Sequence, residues 1–437
     1  MLGKRASVLW LVAVAVIGAL GALAWAGDGR VRADAPVGAV ATGPILGAEL
    51  DVSWPMAPDP IRHNPQVAYN PSHGEYLVVW DNFWPSGNQD VYARRVSASG
   101  QLLSWFSVAS GPGERRFPAL AYNEASDEYL VVWTRLPAIA GAQHEIWGRL
   151  VAWDGSTMGP EFPITTFPLP YGVLAPQVAW NSRINQYLVV WSGRDHSDPT
   201  LPGPPELGFA LLGANGLRLR TVVLAGEGYA DQPAVTYNHG ADEYLLVWRR
   251  MVTPTNTDIA AIRITGESGD VVPPGRIEVS VAAEFESNPA VATNRDHRYL
   301  VVWQFASGAN GWDILGQELD GHGVRVGGAV ALAATGQPEV DPAVAARGGP
   351  ARDYIITWAQ LDGSGHGQVL ARHWGAALHP PFPIPVRSYW NNDRPAVAWG
   401  HSGALVVFEG QLQSGASRHI YGRLWTPQAL FLPLVVR

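Results

Sequence analysis

Short, uninterrupted apolar runs recur along the chain and define its organisation. Such a run occurs at Tyr76–Trp80, Tyr129–Trp133, Tyr187–Trp191, Tyr244–Trp248, Tyr299–Trp303, Tyr354–Trp358 and Ala404–Phe408. The first three copies read Tyr-Leu-Val-Val-Trp, and β-branched and aromatic residues of this kind favour strands. A strand with one wet face would alternate apolar and polar positions. Since these runs do not alternate, they predict strands that are covered on both faces.

Each run belongs to a unit of about 50–58 residues that predicts four strands. A Pro-x-Val-Ala segment such as Pro65–Asn70 precedes the run, and a strand that opens on a polar residue, such as Asp90–Val96, follows it. A glycine-containing turn and a looser strand such as Leu102–Ala109 complete the unit. Seven four-stranded units without helical periodicity predict an all-β fold, a seven-bladed β-propeller of four-stranded antiparallel blades.

The last unit supplies only three strands, from Pro395 to about Trp425, so its fourth strand must come from elsewhere. We expect Ile45–Ser53 to complete it, because this segment precedes the first Pro-x-Val-Ala segment as fourth strands do in the other units. The C-terminal segment Ala429–Val436 is the alternative. Either choice would close the ring of blades.

The order Pro-x-Val-Ala-aromatic-Asn, Tyr-Leu-Val-Val-Trp and Asp-Ile resembles the blades of exported bacterial β-propeller repeat proteins. The blade layout is also similar to that of TolB-type propellers. The resemblance covers about residues 44–425, but the Ser-Pro-Asp-Gly turn of the TolB pattern is replaced here, for example by Asn70-Pro71-Ser72. The resemblance therefore implies the fold and no particular partner.

The N-terminus predicts export. Lys4-Arg5 precede an apolar run from Val8 to Ala26, and small residues close it, as is typical of a secretory signal. An uncleaved anchor is the alternative, because the run is long enough to span a bilayer. We divide the chain into a signal peptide or N-terminal anchor (1–26), a linker (27–43), the propeller (44–425) and a C-terminal tail (426–437). We expect a secreted or cell-surface monomer, with membrane contact only through an uncleaved N-terminal segment.

The composition excludes several kinds of chemistry. The chain contains no cysteine, which removes thiol catalysis, disulfides and cysteine-ligated zinc. Its formal net charge of −8 argues against nucleic acid as a partner. The sequence has no metalloprotease, calcium-loop or nucleophile-elbow motif. We therefore predict no cofactor and no metal site.

One position in each unit varies while its neighbours repeat. It lies just before the innermost predicted strand, where residues of all blades converge at one mouth of the central channel. We predict a binding pocket there, formed by Asn64, Phe117, Gln232, Asn288, Asp341 and Arg394, with Ala175 as the seventh residue. Drift at a surface position without function is the alternative.

Aromatic and acidic residues provide further candidates. The six tryptophans that end the apolar runs are predicted to lie in the core, whereas Trp84 and Trp390 lie on predicted loops and would suit a carbohydrate or peptide ligand. Their alternative role is to cover blade edges. Asp81 and Glu409 follow two of the runs and would form a carboxylate pair if the first and seventh blades are neighbours. Glycoside hydrolysis requires such a pair.

These observations favour an exported, non-catalytic propeller that acts as a binding or scaffold module at the cell surface, with an unknown protein or glycan as its ligand. The repeat occupies nearly the whole chain, and no catalytic motif remains. A carbohydrate-recognising propeller is the alternative. A glycosidase or lyase is the third hypothesis, and it requires Asp81, Asp341 and Glu409 to cluster at the channel mouth.

Overall fold

The computed structural model describes residues 45–427, except 54–58, 140–141, 166–170, 196–204, 225, 295–297, 309–310, 350–351, 386 and 388–390. The predicted signal peptide or anchor, the linker and the segment Ala429–Val436 lie outside the described residues. Within the described residues, the strands form seven antiparallel sheets of four strands each. None of the described segments forms a helix with the length and apolarity that crossing a bilayer requires.

Each sheet is one blade, and we number the blades along the chain by their innermost strands. The first strand of the chain, β1 (Ile45–Asp51), belongs to the last blade. Blade 1 contains β2 (Ile61–Asn70), β3 (Glu75–Phe83), β4 (Gln89–Ser97) and β5 (Leu102–Ala109). Blade 2 contains β6 (Glu114–Asn123), β7 (Glu128–Leu136), β8 (Glu145–Ala152) and β9 (Phe162–Pro163). Blade 3 contains β10 (Tyr171–Asn181), β11 (Gln186–Asp195), β12 (Glu206–Gly213) and β13 (Arg218–Leu224).

The remaining blades repeat this order. Blade 4 contains β14 (Ala230–Asn238), β15 (Glu243–Thr253), β16 (Asn256–Thr265) and β17 (Ile277–Ser280). Blade 5 contains β18 (Glu286–Thr293), β19 (Arg298–Ala306), β20 (Trp312–Asp320) and β21 (Arg325–Ala333). Blade 6 contains β22 (Glu339–Ala346), β23 (Tyr354–Leu361), β24 (Gly367–Trp374) and β25 (Phe382–Pro383). Blade 7 contains β26 (Asn391–Trp399), β27 (Ala404–Gln411) and β28 (His419–Thr426), followed in space by β1.

The N-terminal strand closes the ring, as predicted. β1 pairs antiparallel with β28, and the register runs from Ile45 opposite Thr426 to Asp51 opposite Tyr421. Val52 extends this pairing, because its N–H donates to the carbonyl of Ile420 at 2.8 Å and its side chain is fully buried. The innermost strands contact one another in a closed cycle in which β26 meets β2. The fold is therefore the seven-bladed β-propeller that the repeat predicts.

The apolar runs are the second strands of the blades, and they are buried as predicted. In blade 1, Tyr76, Val78 and Trp80 pack into the core that blade 1 shares with blade 7. Leu77 and Val79 point the other way, into the core shared with blade 2. Successive side chains of a strand face opposite sides of the sheet, so a strand between two blades needs apolar residues at every position. This explains why the runs do not alternate.

The six tryptophans that end these runs are at most 1% exposed, which confirms their predicted place in the core. They are Trp80, Trp133, Trp191, Trp248, Trp303 and Trp358. Full burial of a large apolar side chain contributes roughly 1.5–3 kcal/mol. Removing one of these rings would cost about 3–5 kcal/mol, because the neighbouring blades could not close over the cavity.

Candidate functional site: the channel mouth

Every innermost strand contains a bulge at the same place, and this bulge sets the position of the mouth residues. The register between the first two strands of a blade shifts there, for example between His63 and Gln66 in blade 1. The shift recurs in the other six blades. Extra residues of this kind bend a strand and redirect a side chain. The predicted mouth residues therefore lie inside the innermost strands and not before them, because each strand begins about three to five residues earlier than expected.

The residue at the bulge has a left-handed backbone in all seven blades, with φ between +47° and +54°. These residues are Asn64, Phe117, Ala175, Gln232, Asn288, Asp341 and Arg394. A left-handed conformation costs a non-glycine residue roughly 1–2 kcal/mol. Each of them precedes a proline that is buried, while the left-handed residue itself stays at least partly exposed. The repeat thus displays seven side chains on a ring of buried prolines.

These seven residues line one cavity of about 330 Å3 at the channel mouth. The structure therefore brings together all six residues that the sequence predicted for a binding pocket. Ligand binding by these residues stays a prediction. The wall is mixed in character: it includes the Phe117 ring, the amides of Asn64 and Asn288, the Asp341 carboxyl and the Arg394 guanidinium.

Side chains from the preceding blade hold the backbone of five of the seven mouth residues. The Asn64 N–H donates to Glu409 Oε1 at 2.9 Å, and the Phe117 N–H donates to Asp81 Oδ2 at 2.9 Å. The same bond joins Ala175 to Thr134 Oγ1 at 3.2 Å and Asp341 to Gln304 Oε1 at 3.0 Å. All four acceptors occupy the position that follows an apolar run. Hydrogen bonds between blades therefore join the residues that follow the apolar runs to the mouth residues. Sequence reasoning missed this connection, although both positions vary from blade to blade.

Blade 4 departs from this scheme, because Arg249 occupies the acceptor position and a guanidinium cannot accept a hydrogen bond. Arg249 instead pairs with both oxygens of Asp231, at 2.7 and 2.6 Å. The Asn288 N–H donates to Gln232 Oε1 at 2.7 Å. The Gln232 side chain is therefore turned along the wall and supports the next blade, so its carbonyl is already engaged.

Asp81 and Glu409 both contact Asn64, and their environments push their pKa values apart. Asn64 Nδ2 donates to Asp81 Oδ2 at 2.8 Å, while the Asn64 N–H reaches Glu409. Burial raises the pKa of Asp81 to about 6 against the lowering effect of its bonds to Asn64 and Phe117. Burial also disfavours ionised Glu409, but hydrogen bonding to His63 and the charge of Arg394 outweigh it and lower the pKa of Glu409 to about 2.

Charged groups concentrate on the side of the mouth formed by blades 6, 7 and 1. Arg394 Nη1 lies 3.2 Å from Glu409 Oε1, and the Arg394 side chain is 49% exposed. Burial raises the pKa of Asp341, and the nearby positive charge of Arg394 opposes this effect. Asn288 Nδ2 donates to Asp341 Oδ1 at 3.3 Å. Asp81, Glu409 and Asp341 therefore gather at this side of the mouth, although only Asp341 lines the cavity.

The two loop tryptophans lie apart from this cavity or outside the described residues. Trp84 lies between β3 and β4, at the same end of blade 1 as the mouth, because Ile61 pairs with Phe83 there. Its ring is half-buried and packs edge-on against Tyr92, with ring centres 6.1 Å apart. Trp390 lies outside the described residues. A role for either residue in binding stays a prediction.

The described part of the chain contains no group of three or more histidine, aspartate or glutamate side chains arranged to hold a metal ion. Asp81, Glu409 and Asp341 do not form such a group either. An amide or guanidinium group already bonds each of these carboxyl groups.

No protein-family model matches the chain, and no curated protein matches it. Solved β-propeller enzymes are similar to it in structure. A Trypanosoma rangeli sialidase in complex with sialic acid has a TM-score of 0.47 and 10% identity, over 75% of this chain and 56% of that chain. The NanB sialidase from Streptococcus pneumoniae has a TM-score of 0.47 and 8% identity, over 86% of this chain and 70% of that chain. The GH93 α-L-arabinofuranosidase of Fusarium graminearum has a TM-score of 0.47 and 12% identity, over 71% and 92%.

The chain is thus similar to these proteins in its propeller fold, at low identity. It spans little more than half of the length of the Trypanosoma rangeli sialidase. The resemblance of the repeat to exported bacterial β-propeller repeat proteins, and to the blade layout of TolB-type propellers, stays a prediction.

Proposed function

We propose that this protein is an exported β-propeller that binds a saccharide at its channel mouth without transforming it. Export is supported by the N-terminal pattern of basic residues, apolar run and small residues. The observation that carries the binding function is the choice of residues at the seven left-handed positions. Glycine would relieve the backbone strain there, and the chain contains 48 glycines, yet none occupies these positions. Strained backbone positions of this kind cluster at ligand sites, and this supports a binding role for the side chains around the cavity.

The groups at the mouth match the chemistry of a sugar. Amides, a carboxyl and a guanidinium supply both donors and acceptors for hydroxyl groups. Asn288 and Asp341 share a hydrogen bond, which orients both toward the same part of the wall. The Phe117 ring supplies an apolar surface next to them. A cavity of about 330 Å3 lies at the small end of the range for ligand sites, which suits one end of a saccharide chain.

Binding is favoured over catalysis because the two carboxyl groups beside Asn64 whose pKa values diverge have structural tasks. Glu409 is fully buried and accepts from His63, Asn64, Arg394 and Arg418. Asp81 is 4% exposed and accepts from the two mouth residues beside it. Neither lines the cavity.

The proposal is tested on a glycan array with the purified protein, followed by titration calorimetry on each hit. Asn288→Ala removes an amide from the mouth and Arg394→Gln removes its guanidinium, and we expect each to weaken binding by about threefold to tenfold. Arg325→Gln, on an exposed position of β21, is the control and leaves the affinity unchanged. No hit on the array, or hits that both mouth variants leave unaltered, would overturn the proposal.

A second candidate function, glycoside hydrolysis, rests on the divergent pKa values of Asp81 and Glu409. An acid with a raised pKa beside a carboxylate that stays ionised is the pairing that glycosidases use. Asp81 would then protonate the leaving oxygen, and Glu409 would act as the base or nucleophile. Hydrolysis of a panel of aryl glycosides that Asp81→Asn reduces at least a hundredfold, with an unchanged Tm, would support this candidate. No turnover by the unaltered protein would exclude it for those glycosides.

A further inference from the structure

A second cavity lies beside the channel mouth, over blades 2 to 4. It has a volume of about 320 Å3, and its walls include His144, Leu174, Ser192, Arg194 and Asp231. Two of these residues are chain neighbours of mouth residues: Leu174 precedes Ala175, and Asp231 precedes Gln232. The two cavities therefore lie on either side of the same short segments of β10 and β14. An oligosaccharide that crosses these segments would contact both cavities.

Among the described residues, the charges around this second cavity are not balanced. The Asp231 carboxylate is paired with both donor groups of Arg249, at 2.7 and 2.6 Å, so it is neutralised. Arg194 makes no ion pair with any acidic residue in the described part of the chain; its guanidinium carbon lies 5.9 Å from the centre of the Tyr229 ring. A partly exposed guanidinium on a cavity wall beside an already neutralised aspartate has donors with which to pair an anion.

The histidine in the wall adds no positive charge. His144 Nε2 lies 2.8 Å from Arg116 Nη2. A guanidinium nitrogen can only donate, so His144 Nε2 accepts and carries no proton. Arg116 itself is paired with Glu114, at 3.5 Å. Arg194 is therefore the source of the uncompensated charge among these residues.

We propose that this second cavity binds a carboxylate-bearing sugar unit of the same saccharide whose other end occupies the mouth. The inference rests on the proposed function of the mouth and names the class of its ligand: an acidic oligosaccharide. Arg194 pairs with the carboxylate through two parallel N–H donors. Ser192 lies on the strand next to Leu174 and offers a hydroxyl to the same sugar.

The test uses matched trisaccharides that differ only in a carboxylate or a hydroxymethyl group at C5 of each ring. The pairs are galacturonate and galactose, glucuronate and glucose, and mannuronate and mannose trimers. Affinities are measured by titration calorimetry with the purified protein. We expect the acidic member of at least one pair to bind more tightly, and Arg194→Gln to weaken it by about tenfold. The neutral member keeps its affinity in Arg194→Gln, and Arg325→Gln changes neither.

The possible outcomes separate this inference from the function on which it rests. Equal binding of both members of every pair, unaltered by Arg194→Gln but weakened by Asn288→Ala, overturns the second subsite and leaves the mouth as the binding site. Failure of every acidic trimer to bind overturns the second subsite, and the absence of any hit on the glycan array as well overturns both. A rise in salt from 50 to 500 mM sodium chloride must weaken only the acidic member, because screening acts on the charge of Arg194 and not on neutral hydroxyl contacts.

Discussion

The Glu409 carboxylate joins the two ends of the propeller, and its replacement is the sharpest test of how the ring is held. Glu409 lies on β27 of blade 7 and is fully buried. It accepts from His63 and Asn64 of blade 1, at 2.9 Å each, and from Arg418 of its own blade at 2.8 Å. Glu409→Gln keeps the shape and one acceptor oxygen but removes the charge. Gln304 already serves as the acceptor in blade 5, so the backbone bond itself tolerates an amide.

The size of the effect follows from the pKa of Glu409. A fall from the ordinary value of 4.5 to about 2 corresponds to about 3 kcal/mol of stabilisation at neutral pH. Because the folded pKa lies below the unfolded one, this stabilisation is present above about pH 5 and is lost as the pH falls toward 2. A domain of about 380 residues unfolds with an entropy near 0.8 kcal/mol/K, so a loss of about 3 kcal/mol lowers Tm by about 4 °C.

The assay is thermal unfolding followed by tryptophan fluorescence, at pH 7 and at pH 3. We expect Glu409→Gln to lower Tm by about 4 °C at pH 7 and by less than half as much at pH 3, where the unaltered protein has lost most of the same stabilisation. Glu284→Gln, on an exposed position, is the control and shifts Tm at neither pH. An unchanged Tm at pH 7, or a loss of the same size at both pH values, would refute the reasoning.

Three further predictions concern the mouth, a turn and the closing strand. Since the folded pKa of Asp81, about 6, lies above its ordinary 3.8, ionisation of Asp81 reduces stability as the pH rises from 4 to 7. In urea unfolding, Asp81→Asn should make the free energy of unfolding fall less over this pH range. An unaltered fall would contradict the raised pKa. Gly155→Ala should destabilise the protein by about 1–3 kcal/mol more than Gly365→Ala. Both glycines have a left-handed backbone, but only a Cβ at Gly155 would meet a neighbour, the Phe106 ring at 2.3 Å. Equal melting temperatures of the two variants would argue against this packing. A chain without residues 1–53 should aggregate on size exclusion, because it leaves the edge of β28 bare, whereas a chain without residues 1–43 should remain monomeric; equal elution of the two would contradict closure by β1.

Most of the fold could be predicted from the sequence because its signal is local. A five-residue apolar run has no polar face to offer to water, and its recurrence reports the number of blades. Strand ends were predicted less well at the mouth. The bulge at Asn64 depends on pairing with β3 and on the buried Pro65, and neither is visible in the alternation of apolar and polar residues. The six mouth residues could be predicted because a repeat makes one variable position stand out.

The bonds of the site could not be predicted, because they join residues that are far apart in the chain. Glu409 and Asn64 are 345 positions apart and meet only when β1 completes blade 7 and β26 contacts β2. The divergent pKa values of Asp81 and Glu409 likewise depend on which neighbours reach each buried carboxyl group.

The sequence by itself determined that seven four-stranded blades exist and which strand of each is buried, since the burial of a short strand is written in its own residues. Only the tertiary structure decided which side chains share the channel mouth, how the preceding blade holds five of them, and where a second cavity lined by Arg194 lies beside it. Those features arise from contacts between blades, and these contacts form only when the ring of blades closes.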